Sequence, residues 1–368
     1  MEIIVDKEEF SKELKYFQGI FEKKSLIDIL QNIKFTAFEN NLIELVATDL
    51  EIGLVSNFKS EVVTPGSFTL NGVDIYNIIS RMPEGNIRIS DNNDLQVFIT
   101  DKNNRCRFKL SGMESSDYPQ LPISDFSNHI DIDSDQFKDM IDKCYYVLAP
   151  ELKYNVGGAM LQFLQDKIEL ISTDSHRLSY TASANTHQNE SFNEKVFILS
   201  RKTLVEILKI AESDMIRFTF DKNNLYFKVG NRILSSRMID QKYPDYKNVI
   251  PRDIKHSAVI DREDLLESLR RILIFKIRND AVYFKFSKNK LVLERTSQEK
   301  GEAHDELDIK YDGKDFKCVF PGGFIIDFLT HIEDDAIIDI SDESDAYIFR
   351  SKPSRISEFL YVVMSFNI

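Results

Sequence analysis

Near the middle of the chain, Thr173-Asp174-Ser175-His176-Arg177-Leu178 puts a carboxylate, a hydroxyl and an imidazole side by side. These are the side chains of a hydrolase triad, but triads are assembled by tertiary geometry from residues distant in sequence, and three neighbours seldom converge. A second chemistry is metal assistance, with Asp49, Asp174 and His176 offering two carboxylates and an imidazole to the divalent ion of a nuclease or phosphatase. The spacing argues against it. Ile43-Glu44-Leu45-Val46-Ala47-Thr48-Asp49 returns 125 residues later as Ile168-Glu169-Leu170-Ile171-Ser172-Thr173-Asp174, and a weaker third copy, Leu291-Val292-Leu293-Glu294-Arg295-Thr296-Ser297, follows after 123 more. Asp49 and Asp174 are therefore equivalent positions of separate repeats, which repetition sets apart rather than joins. No catalytic residue and no metal ligand is expected, and His176 reads as a hydrogen-bonded or rim residue.

A chain of 368 residues with a period near 125 suits three domains. Three scattered cysteines, Cys106, Cys144 and Cys318, form neither a CxxC pair nor an even count, so they read as reduced packing residues. No phosphate-binding GxxxxGK[ST] or GxGxxG loop is present, so no nucleotide hydrolysis and no cofactor are expected. The first residues lack a basic start and an apolar run, and no stretch has the length to cross a bilayer, which predicts a cytoplasmic protein without a membrane partner. The net charge of −13 opposes nucleic-acid binding on average, yet it says nothing about a local basic face.

The elements repeat as well. Met1 to Val5 reads as a strand, Asp6 as an N-cap, and Phe10, Leu14, Phe17 and Phe21 as a helical stripe. The same plan returns from Ile130, with Asp133 or Ser134 as cap and Phe137, Met140, Ile141 and Cys144 as stripe. It returns again from Ser257, with Asp261 as cap and Leu265, Leu266, Leu269, Ile272 and Leu273. A second helix-and-strands half follows in each repeat, with stripes at Ile75, Ile78, Ile79 and Met82, at Leu204, Ile207, Leu208 and Ala211, and at Phe324, Ile325, Phe328 and Leu329. Asp91 to Asp94 and Asp221 to Asn224 have the composition of hairpin turns. Tyr118-Pro119 and Tyr243-Pro244 mark the joints, again 125 residues apart, and place domains at 1–126, 127–255 and 256–368. The fold class is α+β, three tandem similar domains of two helix-plus-strands halves.

Taken with the repeats, Thr48-Asp49-Leu50-Glu51, Thr173 to Leu178, Tyr243-Pro244-Asp245-Tyr246 and Val362-Val363-Met364-Ser365-Phe366 make the chain resemble the bacterial sliding-clamp family, the beta subunits of DNA polymerase III, over its whole length. The resemblance implies a head-to-tail homodimeric ring of six lobes around double-stranded DNA, helices inside and sheets outside, without sequence preference. It implies tethering of the polymerase III alpha subunit, the clamp loader, other polymerases and repair proteins through short peptides. The implied peptide pocket between the second and third domains comprises Val156, Thr173, Ser175, His176, Arg177, Leu178, Pro244, Val249, Val362, Met364, Ser365 and Phe366. Strand alternation favours Met364 over Val363 as its wall. Ser365 stands where the family commonly has proline, and Asn367 where a basic residue is usual.

For DNA, Lys24 and Tyr154 match family contact positions. Lys12, Lys15, Lys138, Lys143, Arg201, Lys202, Lys209, Arg270 and Arg271 are added because they fall off the apolar stripes, among acidic residues that share the same helices. A loose field of this kind permits sliding, since contacts to base edges would specify sequence. For ring closure, Arg105, Arg107 and Lys109 alternate with Cys106, Phe108 and Leu110 on an expected edge strand, and Glu299, Glu302, Asp305 and Glu306 offer opposite charge in the third repeat. The resemblance adds Ile272 and Leu273 as apolar interface residues. The rival readings are a metal-dependent hydrolase and a repeat scaffold unrelated to DNA.

Overall fold

The computed structural model describes residues 1–366 except 23, 93, 149–156, 187–188, 276–279, 298–300, 342–344 and 353–355. Among the described residues a strand-then-helix unit occurs six times. The helices are α1 (Lys7–Tyr16), α2 (Gly72–Arg81), α3 (Ser134–Tyr145), α4 (Arg201–Ile210), α5 (Arg262–Ile272) and α6 (Gly322–Thr330). Caps start three of them where the backbone amides of the first turn lack partners. Asp6 accepts from the amides of Glu8 and Glu9, Asn71 from those of Val73 and Asp74, and Asp261 from that of Asp264. The stripes face inward: Phe10, Leu14, Phe137, Met140, Ile141, Leu204, Ile207, Leu265 and Leu269 are all buried.

The chain forms two compact units, one of residues 1–134 with 202–238 and one of 135–201 with 239–368. The first holds an eight-stranded antiparallel sheet in the order Ile130–Asp133, Met215–Phe220, Asn224–Val229, Arg232–Arg237, Ile52–Lys59, Leu42–Thr48, Asn32–Phe38, Gly66–Asn71. The ladder between Ile52–Lys59 and Arg232–Arg237 makes this sheet continuous. The second unit repeats the arrangement with Val196–Ser200, Gly158–Phe163, Lys167–Thr173, Arg177–Ala184, Glu358–Met364, Ala346–Arg350, Ala336–Ile340 and His256–Ile260, continuous through the pairing of Arg177–Ala184 with Glu358–Met364. Each unit also has a shorter sheet. That of the first unit has five strands ending on Arg107–Ser111, and that of the second has four ending on Gly301–Asp308. In the first unit α1 packs on α2, and in the second α5 packs on α6.

Cys144 and Cys318 are buried free thiols, and burial pushes the Cys144 thiol up to about 11, far from a reactive thiolate. No described helix is long and apolar enough to cross a membrane.

Candidate functional site

The Thr-Asp motif is a turn device. Thr173 Oγ1 donates to the Arg177 carbonyl at 2.8 Å, and Asp174 Oδ1 accepts from the amides of His176 at 3.0 Å and Arg177 at 2.9 Å. The earlier copy is the same. Thr48 Oγ1 donates to the Ile52 carbonyl at 2.7 Å, and Asp49 Oδ1 accepts from the amides of Glu51 at 2.9 Å and Ile52 at 2.8 Å. Ser175 and Leu50 take left-handed backbone at φ 73° and 74°, the strained step such a turn needs. Asp174 thus spends its oxygens on its own loop, and His176 is exposed beside it. No group of three or more metal-ligating side chains occurs among the described residues.

Arg177 follows the turn and is drawn inward. Its Nε donates to Asp174 Oδ2 at 2.9 Å, Nη1 to Asp327 Oδ2 at 2.6 Å and to the Tyr361 hydroxyl at 3.0 Å, and Nη2 to the Tyr146 carbonyl at 3.3 Å. The guanidinium lies 4.0 Å from the Phe324 ring centroid. Burial opposes its charge, but Tyr361, Asp327 and Asp174 outweigh that and raise its pKa. Asp327, Tyr361 and Tyr146 have no local signal in the sequence, because they reach Arg177 from α6, the last strand and the end of α3.

Beside this anchor the long sheet of the second unit carries a small apolar cluster. Leu178 and Val362 are buried in it with Met160, Ile171, Tyr180, Tyr246 and Ile348, and Tyr243, Ile250 and Leu360 pack against it. Exposed apolar groups flank members of this cluster along the chain: Met364, next but one to Val362, is 44% exposed, Phe366 43% and Val249 41%, and Pro244 is exposed beside Tyr243. Val363 is fully buried in the main core on the opposite face, as strand alternation requires. The tail is tied down. The Met364 amide donates to the His176 carbonyl at 3.1 Å and the Ser365 amide to the Asp345 carbonyl at 2.8 Å, and Ser365 Oγ both accepts from the Val319 amide at 3.2 Å and donates to its carbonyl at 3.1 Å. A proline at 365 could make none of the Ser365 bonds. Val156 and Asn367 lie outside the described residues.

The cations differ in what they offer. Lys24 and Lys15 are exposed and pair with no described carboxylate. Lys12 pairs with Glu212, Lys138 with Asp135, Lys209 with Glu206, Arg270 with Glu267, and Arg271 with Asp305. Lys202 bonds Asp49, and Arg201 donates to the Leu148 carbonyl. Lys143 departs from expectation. It is only 8% exposed, held by Asp139 and the Ser357 hydroxyl under the Phe359 ring, so it is not an outward cation. Its helical position faces away from the α3 stripe, but a distant segment covers it. Tyr154 lies outside the described residues.

On the first unit's edge strand, Arg105, Arg107, Phe108 and Lys109 are exposed and Leu110 is half-buried, with Lys109 Nζ 5.9 Å from the Phe98 ring centroid. On the second unit's edge strand, Glu302 and Glu306 are exposed. Asp305 accepts from Ser268 and Arg271; burial pushes its carboxyl up, and these two partners outweigh burial and hold it below the usual range. Ile272 is buried in the main core of its unit, and Leu273 packs at that core's margin. Glu299 lies outside the described residues.

Repeated strand-helix units on paired long and short antiparallel sheets define the DNA-clamp class of fold. The chain matches a DnaN sliding clamp from Bartonella birtlesii solved bound to griselimycin, with TM-score 0.93 and 23% identity, each chain covered completely. It also matches the DNA polymerase III beta subunit from Thermotoga maritima, with TM-score 0.91 and 22% identity over all of this chain and 99% of that one. Family models for the N-terminal, central and C-terminal domains of the DNA polymerase III beta subunit match residues 1–122, 131–245 and 247–363. A beta sliding clamp from Chlamydia muridarum is 25% identical over 368 residues, covering 99% of this chain and 98% of the relative. The chain belongs to the DNA polymerase III beta subunit family, and with that family goes the function of a DNA sliding clamp.

Proposed function

We propose that two copies of this chain close head to tail around duplex DNA in the cytoplasm and tether the replicative polymerase, its loader and repair proteins without any catalysis of their own. Three domains, 1–126, 127–255 and 256–368, would supply the six lobes. The observation that carries the ring is the pair of short sheets. Each unit completes one eight-stranded sheet, and each leaves a short sheet with an open edge, Arg107–Ser111 rich in basic residues and Gly301–Asp308 rich in acidic ones. An unpaired edge is a liability unless another strand covers it, and edges of opposite charge suit a heterologous contact. Leu273 and the exposed Phe108 and Ile274 would add apolar area at that contact.

The peptide site of this reading is the shelf formed by Leu178, Val362, Val249, Pro244, Met364 and Phe366. A buried apolar floor with flexible, exposed apolar walls accepts varied side-chain anchors. Thr173, Ser175 and His176 would border it, with Arg177 holding the turn from inside. Lys15 and Lys24 would be the candidates to meet phosphate, being exposed and without a carboxylate partner among the described residues.

The test is topological. Protein loaded on circular duplex DNA is expected to stay bound and to be lost when a single cut linearises the circle. Equal retention on linear DNA would replace enclosure with ordinary groove binding.

A further inference from the structure

The 125-residue repeat allows the two long sheets to be compared position by position, and at one place they differ in what fills them. In the second unit, Glu169 lies on the sheet face beneath two stacked tyrosine rings, Tyr180 and Tyr246, whose centroids are 6.4 Å apart. Tyr180 donates to Glu169 Oε1 at 2.8 Å and Tyr246 to Oε2 at 3.2 Å, and Lys167 pairs with the same carboxylate at 2.6 Å. Register is conserved in the first unit. Glu44 stands where Glu169 does, and Val46 pairs with Val55 as Ile171 pairs with Tyr180. The rings are missing. Val55 replaces Tyr180, and Leu121 replaces Tyr246 after the Tyr-Pro joint. Leu121 packs on Gly53, where an added Cβ would lie 2.6 Å from Leu121 Cδ2, and against the cluster of Val46 and Tyr118, so that it lines the space a second ring would take.

The result is an open groove of about 300 Å³ bounded by Val46, Val55, Ile233, Pro119, Glu44 and Lys34. Its size falls at the lower end of ligand-binding cavities. Glu44 accepts no side-chain hydrogen bond from the described residues, whereas its counterpart accepts two from phenols and pairs with a lysine. Burial pushes the Glu44 carboxyl upward, as expected of a carboxylate that lacks those donors, and Lys34 acts against the shift. An apolar slot over paired valines, with an acceptor at one end and an ammonium beside it, has the same chemistry that holds tyrosine in the other unit.

We infer that this groove on the first long sheet is a docking site for a tyrosine side chain on an extended segment of a partner protein. The ring would lie on Val46, Val55 and Ile233, its hydroxyl would donate to Glu44, and Lys34 would sit over or beside it as Lys167 does for Tyr180 at 5.7 Å. The site is separate from the Met364 shelf and does not rest on peptide binding there.

The probe is the blocked tripeptide acetyl-Gly-Tyr-Gly-amide, titrated into the full-length protein and followed by ligand-observed NMR, with the phenylalanine tripeptide as comparison. Saturable binding is expected, weaker by about tenfold for phenylalanine because a hydrogen bond to a charged acceptor is lost. Val55→Tyr, which restores the ring of the second unit, should abolish binding. Glu44→Ala should keep weak binding but erase the preference for tyrosine, so the inference remains testable if Val55→Tyr folds poorly. Absence of saturable binding, equal affinity for the two tripeptides, or a tyrosine preference that survives Glu44→Ala would overturn it.

Discussion

At the scale of single residues, the chain places its most elaborate side-chain bonding on Arg177, and this sets what the Thr-Asp motif is for. Four acceptors and an aromatic face hold one guanidinium. Arg177→Ala would leave Asp174 and Tyr361 without their cation in a buried setting, and a loss of about 3–5 kcal/mol in denaturant unfolding is expected. A double-mutant cycle with Asp327→Ala should show coupling of roughly 1–3 kcal/mol; additive effects would mean that the pair does not hold the turn. Met364 is the opposite kind of residue, exposed and bonded only through its backbone. Met364→Ala should leave stability within about 0.5 kcal/mol of the parent. It should weaken a polymerase-tail peptide by about tenfold in a fluorescence titration, the effect of removing one apolar anchor. Unchanged affinity would take the shelf out of the peptide reading.

Among the elements, the decisive ones are the edge strands. Arg107–Ser111 begins two residues later than the alternation from Arg105 suggests. Asn104 turns through φ 55°, and the Cys106 amide is captured by Asp101 at 2.6 Å, so the first two residues belong to the turn. The basic alternation of Arg107 and Lys109 is kept within the strand. Arg107→Glu with Lys109→Glu should shift equilibrium sedimentation from dimer toward monomer, since like charges across paired strands repel. Glu302→Lys with Glu306→Lys in the same chain should restore the dimer. If neither change moves the mass distribution, closure does not run through these strands. The helices were legible for a simpler reason. Their stripes recur every three or four residues, a period set by the helix itself.

For the whole molecule, a net charge of −13 is compatible with DNA when retention depends on topology instead of affinity. Most of the helix cations are already paired with carboxylates, which leaves a weak field and suits a protein that must move along its duplex. In the linearisation experiment, protein on intact circles should therefore survive a salt increase that strips a groove-binding protein from its site.

The sequence by itself determined the repeat, the alternation of strand and helix, and the family, because these rest on short-range periodicity and on motifs that can be counted along the chain. Only the tertiary structure decided that Lys143 is covered by Ser357 and Phe359, that Ile272 lies in the core, that Arg177 is gripped by Asp327 and Tyr361, and that Glu44 lacks the tyrosines of Glu169. In each of these the outcome depends on a partner from far along the chain, and a local pattern states which face a residue presents but not what arrives to meet it.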